Sequence, residues 1–165
     1  MAKILLIAGQ GIKGIPQEVI SWMQQYKDAG HEFIVGDTRG DGAFHNAISG
    51  IGGKSSCTVY AMDKANTNAF GISERIFDTY YDEETKVASI VDKDSEQIIT
   101  QIHDVADETV IRQSDAWYKF KDNYMVDECA MAILVLPEAE QMTKRVQNIL
   151  MRMSIQNKPR YVFKV

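Results

Sequence analysis

Residues 36–42, Gly36-Asp37-Thr38-Arg39-Gly40-Asp41-Gly42, combine glycines, two carboxylates and a guanidinium. Arginine is costly to hold in a tight turn without a partner, and its planar fork matches a phosphate in two parallel hydrogen bonds. Arg39 is therefore a candidate phosphate clasp, with Gly36, Thr38 and Gly40 beside it. Asp37 and Asp41 could bind ribose hydroxyls or act on a glycosidic bond. Alternatively, one of them pairs with Arg39 and the glycines only shape a turn. A second glycine run, Gly9-Gln10-Gly11-Ile12-Lys13-Gly14, has the spacing G-x-G-x-x-G. Glycines let the backbone approach an anion, and a helix after them offers free N–H groups. The dinucleotide fingerprint also wants an acid after the second strand, and Asp37 stands 23 residues beyond Gly14. Gly9, Gln10 and Gly11 are thus candidate ligand contacts, with a plain tight turn as the alternative. No second nucleotide-binding half follows, so a full dinucleotide site is not expected.

Farther on, Thr143 and Lys144 offer a hydroxyl and an ammonium near a predicted helix start after Pro137, where an ordinary surface helix would look the same. Arg112, Trp117, Tyr118, Lys119 and Lys121 mix rings and cations in a way that suits stacking on a base and holding its phosphate. They could equally be buried aromatic edges with solvated cations. His31, His45 and His103 are not at metal spacing with Asp, Glu or Cys, and only His45, one turn past Asp41, is kept as a site candidate. No nucleophile elbow or Ser-His-Asp set can be assembled, and neither a metal nor a cofactor is called for.

The elements that must position these residues alternate. Lys3 to Ala8 is an unbroken apolar run, as expected of a strand buried on both faces. Val19, Ile20, Trp22, Met23 and Tyr26 then recur at helical spacing up to Ala29-Gly30. His31–Val35 reads as the second strand, 43–51 as a short helix and Ser56–Met62 as the third strand. The segment of about 66–115 breaks the rhythm. Ile72, Ile76, Phe77 and Tyr80 could form one helix face, and Ile98, Ile99, Ile102 and Val105 another. It is read as a partly helical insertion with an acidic, solvated surface. Order returns with a helix through Tyr124, Met125 and Cys129, a strand at Ala130–Leu136, an amphipathic helix at 140–154 and a last strand at Tyr161–Val165. The expectation is a single Rossmann-like α/β domain over 1–165, a three-layer sandwich whose mainly parallel sheet has about five strands.

Composition bounds the rest. At 45% apolar and 25% charged residues the chain has the makings of a globular core rather than of disorder. A net charge of −5 argues against a general nucleic-acid surface. No apolar run approaches the ~20 residues of a membrane helix, and the N-terminal run is shorter than a signal core. Cys57 and Cys129 lie in apolar stretches and read as buried thiols, which fits a cytoplasmic protein.

With those residues laid out, the chain resembles the SLOG superfamily of Rossmann-like nucleotide-binding proteins. Val35-Gly36-Asp37-Thr38-Arg39-Gly40-Asp41 is similar to its G-G-x-R-G-x-D loop. Residues 121–135, from Lys121-Asp122-Asn123 onward, resemble its R-N-x-x-M segment, and Thr143-Lys144 its G-T-K. The resemblance implies a nucleotide-type small molecule held over the strand ends by Gly36, Arg39 and Gly40, with Asn123, Thr143 and Lys144 facing them. Homo-oligomers are common in such domains. Phosphoribohydrolases of the group carry P-G-G-x-G-T-x-x-E. Here Pro137-Glu138-Ala139-Glu140-Gln141-Met142-Thr143 has no glycine, and Val146 stands in place of the glutamate. The expected function is therefore a sensor or sequestering module for a nucleotide or nucleotide-sugar. The alternatives are an N-glycosidase or deoxyribosyltransferase-like enzyme using Asp37, Asp41 or Glu128, and a module whose acidic insertion docks a protein partner.

Overall fold

The computed structural model describes residues 1–63, 71–138 and 142–165, and of Arg39 the backbone only. The two runs 64–70 and 139–141 therefore lie outside the described residues, including Glu140 at the expected start of the last helix.

Lys3–Ala8 forms β1, followed by α1 at Gln17–Asp28, β2 at Glu32–Val35, α2 at Gly42–Gly50 and β3 at Cys57–Met62. After the middle segment come α4 at Asp115–Glu128, β7 at Met131–Leu136, α5 at Lys144–Ile155 and β8 at Arg160–Lys164. These elements match the sequence expectation in kind and order. Alternation explains the strands: Leu5, Ile7, Ala132 and Leu134 face one core, and Ile4, Leu6, Ile133 and Val135 face the other. Side chains on successive strand residues point to opposite faces, so a run buried on both must be apolar throughout. Met125 and Val126 of α4 with Val146, Ile149 and Met153 of α5 cover the first face. Val19 and Met23 of α1 with Phe44 and Ile48 of α2 cover the second. Each such fully buried aliphatic contributes about 1.5–3 kcal/mol.

The middle segment differs from the expectation. In place of helices it supplies β4 at Ser73–Asp82, β5 at Val87–Asp92 and β6 at Ile98–Ile102, and then α3, a single turn at Glu108–Ile111. Among the described residues the sheet therefore has eight strands, not about five, in the order β6-β5-β4-β3-β2-β1-β7-β8. β4 runs parallel to β3, while β5 and β6 are antiparallel to their neighbours. The acidic residues that suggested a solvated helix face close hairpins instead. The Asp82 Oδ1 accepts hydrogen bonds from the N–H of Glu84 and Thr85, and the Asp92 Oδ1 from those of Asp94 and Ser95. Lys86 and Glu96 then turn the chain with positive φ.

Two clamps tie this addition to the parallel core. The Arg75 guanidinium donates to Asp92, Glu128 and Tyr124, and it stands over the rings of Tyr60, Phe77 and Tyr124 at 4.8–5.5 Å. Trp117, in the first turn of α4, donates its indole N–H to Thr79 of β4. Among the described residues no helix is long and apolar enough to cross a membrane.

Candidate functional site

Strand order reverses between β1 and β7, and in open α/β sheets the carboxyl edge at such a point is where ligands collect. Here the crevice directly over the reversal is nearly shut. A Cβ on Gly9 would fall 2.8 Å from Pro137 Cδ, and the space between the loops is only about 20 Å³. The loop after β2 folds down onto the same strand end, since a Cβ on Gly40 would lie 2.6 Å from the Ala8 carbonyl oxygen. His45 supports this loop from below, its Nε2 bonded to the Gly36 carbonyl at 2.9 Å. The roomy spaces are displaced to either side.

One is a cleft of about 470 Å³ between α4 and α5, over the ends of β2 and β3. Trp117, Tyr118, Met62 and Ile149 give it apolar surface, while Asn123 and Asn148 contribute amides. Two of its cations are paired with carboxylates. Lys121 Nζ donates to Asp37 Oδ1 at 2.6 Å, and Arg145 makes two bonds to Asp122 at 2.8 and 2.9 Å. Burial works against the Arg145 charge, but the Asp122 hydrogen bonds and the nearby Asp122, Asp41 and Asp37 carboxylates outweigh it and raise its pKa. The pair also bolts α4 to α5.

The other space is an adjoining groove of about 630 Å³, lined by the backbone of residues 9–13 and by Thr38, Gly40, Thr143 and Arg145. Thr143 caps α5, its hydroxyl accepting from the Val146 N–H. The N–H groups of Gln10, Gly11 and Lys13 have no protein partner among the described residues, and neither have the ammonium groups of Lys13 and Lys144. Thr38 and Arg145 line cleft and groove alike.

The residues singled out in the sequence thus converge in part. Asp37, Thr38, Asn123 and Lys144 line the cleft, and Gly9, Gln10, Gly11, Gly40 and Thr143 line the groove. Gly36 lies beneath, against the Asp41 carboxylate. The Arg39 side chain lies outside what is described. Asp41 is fully buried, and its Oδ2 accepts from both the N–H and the hydroxyl of Thr38, at 3.2 and 2.6 Å. Glu128 is placed elsewhere: it ends α4 beside Lys3, at the opposite end of β1, in the cluster with Arg75 and Tyr60. A strand of six residues spans about 20 Å, so Glu128 does not share a site with Asp37 and Asp41. The glycine fingerprint is also incomplete in shape, because α1 opens only at Gln17 and a Cβ on Gly14 would meet nothing within 4 Å.

Sequence reasoning missed Asp122, Arg145 and Asn148 as site residues. The signal was available for the ion pair. Asp122 precedes Met125 and Val126 by three and four positions, and Arg145 precedes Ile149 by four, so both belong to buried helix faces where a lone charge needs a partner. Among the described residues, no group of three or more His, Cys, Asp or Glu is arranged to hold a metal. No protein-family model, curated protein or solved structure matches the chain.

Proposed function

We propose that the chain binds a small phosphorylated ligand of nucleotide type across the carboxyl edge of its sheet, as a sensor or sequestering module. The observation that carries this reading is the continuity of an amphipathic cleft with a glycine-lined groove through Thr38 and Arg145. A planar base fits between the Trp117–Tyr118 surface and the amides of Asn123 and Asn148. A phosphate fits the groove, where unpaired backbone N–H groups, the start of α5, Lys13 and Lys144 supply positive potential. The likeness of residues 35–41, 121–135 and 143–144 to SLOG loops supports the same ligand class.

Holding the ligand is favoured over cleaving it. Asp37 is tied to Lys121, Asp41 is sealed beneath Thr38, and Glu128 sits at the other edge. Asp41 and Glu128 do not face the cleft, and Asp37, which does, shares its charge with Lys121, whereas a nucleophile on a glycosidic carbon needs a free carboxylate. The test is a thermal melt with nucleoside monophosphates and NAD, followed by assay for released base or nicotinamide. A ligand at 100 times its dissociation constant should add about 2.7 kcal/mol, with no product formed. Release of base, lost in Asp37→Asn, would replace the sensor with a glycosidase, and a flat melting response to every nucleotide would remove both.

A further inference from the structure

The junction between cleft and groove has a fixed hydrogen-bonding polarity. Thr38 donates its hydroxyl proton to Asp41 Oδ2 at 2.6 Å, and the same oxygen takes the Thr38 backbone N–H. Asp41 is 0% exposed, its Oδ1 has no hydrogen-bond partner, and a methyl group on Gly36 would fall 2.7 Å from its Oδ2. With its proton committed inward, the Thr38 oxygen can only accept from whatever lies at the junction. Next to it, Asp37 Oδ1 accepts from Lys121 Nζ, and its Oδ2 has no protein partner among the described residues. Two adjacent residues therefore present acceptors and no donor. Lys121 already offsets the Asp37 charge, so a neutral donor pair suits these acceptors without a further cation. Two neighbouring hydroxyls are that pair.

Resting on the nucleotide reading, we propose that Asp37 and Thr38 read the vicinal diol of a ribose, so that the site takes ribonucleotides and rejects 2′-deoxyribonucleotides. Asp41 never touches the ligand. It is a positioning residue that holds the Thr38 proton away from the sugar. A deoxy ligand would leave one of the two acceptors without its hydroxyl partner, which costs affinity.

The experiment is calorimetric titration of the full chain with AMP, GMP, CMP and UMP and with their 2′-deoxy counterparts. The wild type should prefer the ribo form of whichever base binds by about tenfold to a hundredfold. Thr38→Val should bring that ratio close to one, and Thr38→Ser should keep it. Asp41→Asn offers Thr38 an amide donor, lets the hydroxyl turn outward and should narrow the ratio; the exposed Thr38 variants keep the test decisive if this buried change impairs folding. Equal binding of ribo and deoxy forms, or a ratio unchanged in Thr38→Val, would overturn the diol reading and leave nucleotide binding standing. Binding of neither sugar would overturn the functional reading beneath it.

Discussion

At Gly40 the backbone comes so close to the end of β1 that an added methyl group would sit 2.6 Å from the Ala8 carbonyl and 2.9 Å from that of Gly9. Both neighbours are main chain and cannot swing aside. Gly40→Ala should therefore lift the loop and cost about 1–3 kcal/mol, read as a lower Tm and a lower urea midpoint. Gly42, where a Cβ meets nothing within 4 Å, is the control and should tolerate alanine with much less loss. Equal losses at the two positions would refute the close-approach account. Composition alone drew attention to this loop, and it gave one member a chemical role that burial argues against. Asp41 looked like a chemical group because it was a carboxylate between glycines, yet it is the foundation of Thr38. What a residue bonds to across the fold is invisible to local composition. The same limit hid the pairing of Asp122 with Arg145, although each stood on a readable apolar face.

Helix α4 carries information along its whole length, from Trp117 at the cleft to Glu128 at the far edge. Desolvation pushes the Glu128 pKa up, but hydrogen bonds from Tyr60, Tyr124 and Arg75 outweigh it, and the carboxyl ends below its ordinary value of 4.5. A depressed folded pKa stabilises the fold fully above the unfolded value and loses that contribution as pH falls through the folded one. Urea midpoints should hold steady from pH 7 to about pH 5 and drop below about pH 4.5. Asp127 is lowered in the same sense, chiefly by Arg152, and adds to the slope. Glu128→Gln should cost about 1–2 kcal/mol at pH 7 and flatten part of the acid limb. An unchanged acid limb would show that the clamp carries no stability. The element pattern itself was legible wherever length or context removed ambiguity, as in β1, α1 and β7. It failed at residues 72–105, because Ile72, Ile76, Phe77 and Tyr80 satisfy a helical spacing as readily as the β pattern of Phe77, Thr79 and Tyr81. The hairpins at Asp82 and Asp92 decided it, and Asp-rich turns read equally well as a charged helix surface.

Among the described residues, one sheet is shared by two large apolar cores, with a small third cluster of Ala88, Val105 and Ile111 at the added strands. Cys129 belongs to the core under α4 and α5, and Cys57 to the core under α1 and α2. Burial pushes the Cys57 thiol up to about 12 and the Cys129 thiol up to about 11, so neither supplies much thiolate at neutral pH. Native protein should leave Ellman's reagent nearly untouched. If the sheet unites both cores into one cooperative unit, both thiols should become reactive over the same urea range. A thiol labelled well before the main transition would show that its face opens alone.

Trp117 reaches the cleft while hanging from Thr79, and Phe120 and Tyr124 of the same helix pack edge-on or tilted against Phe77. One wall of the recess is therefore bolted to β4, the first of the added strands, as well as to the core beneath α4. Remodelling β4 would reshape the cleft while leaving the glycine-lined groove untouched. A chain pruned of every strand beyond β3 would keep the glycine-lined groove and lose the support of one cleft wall.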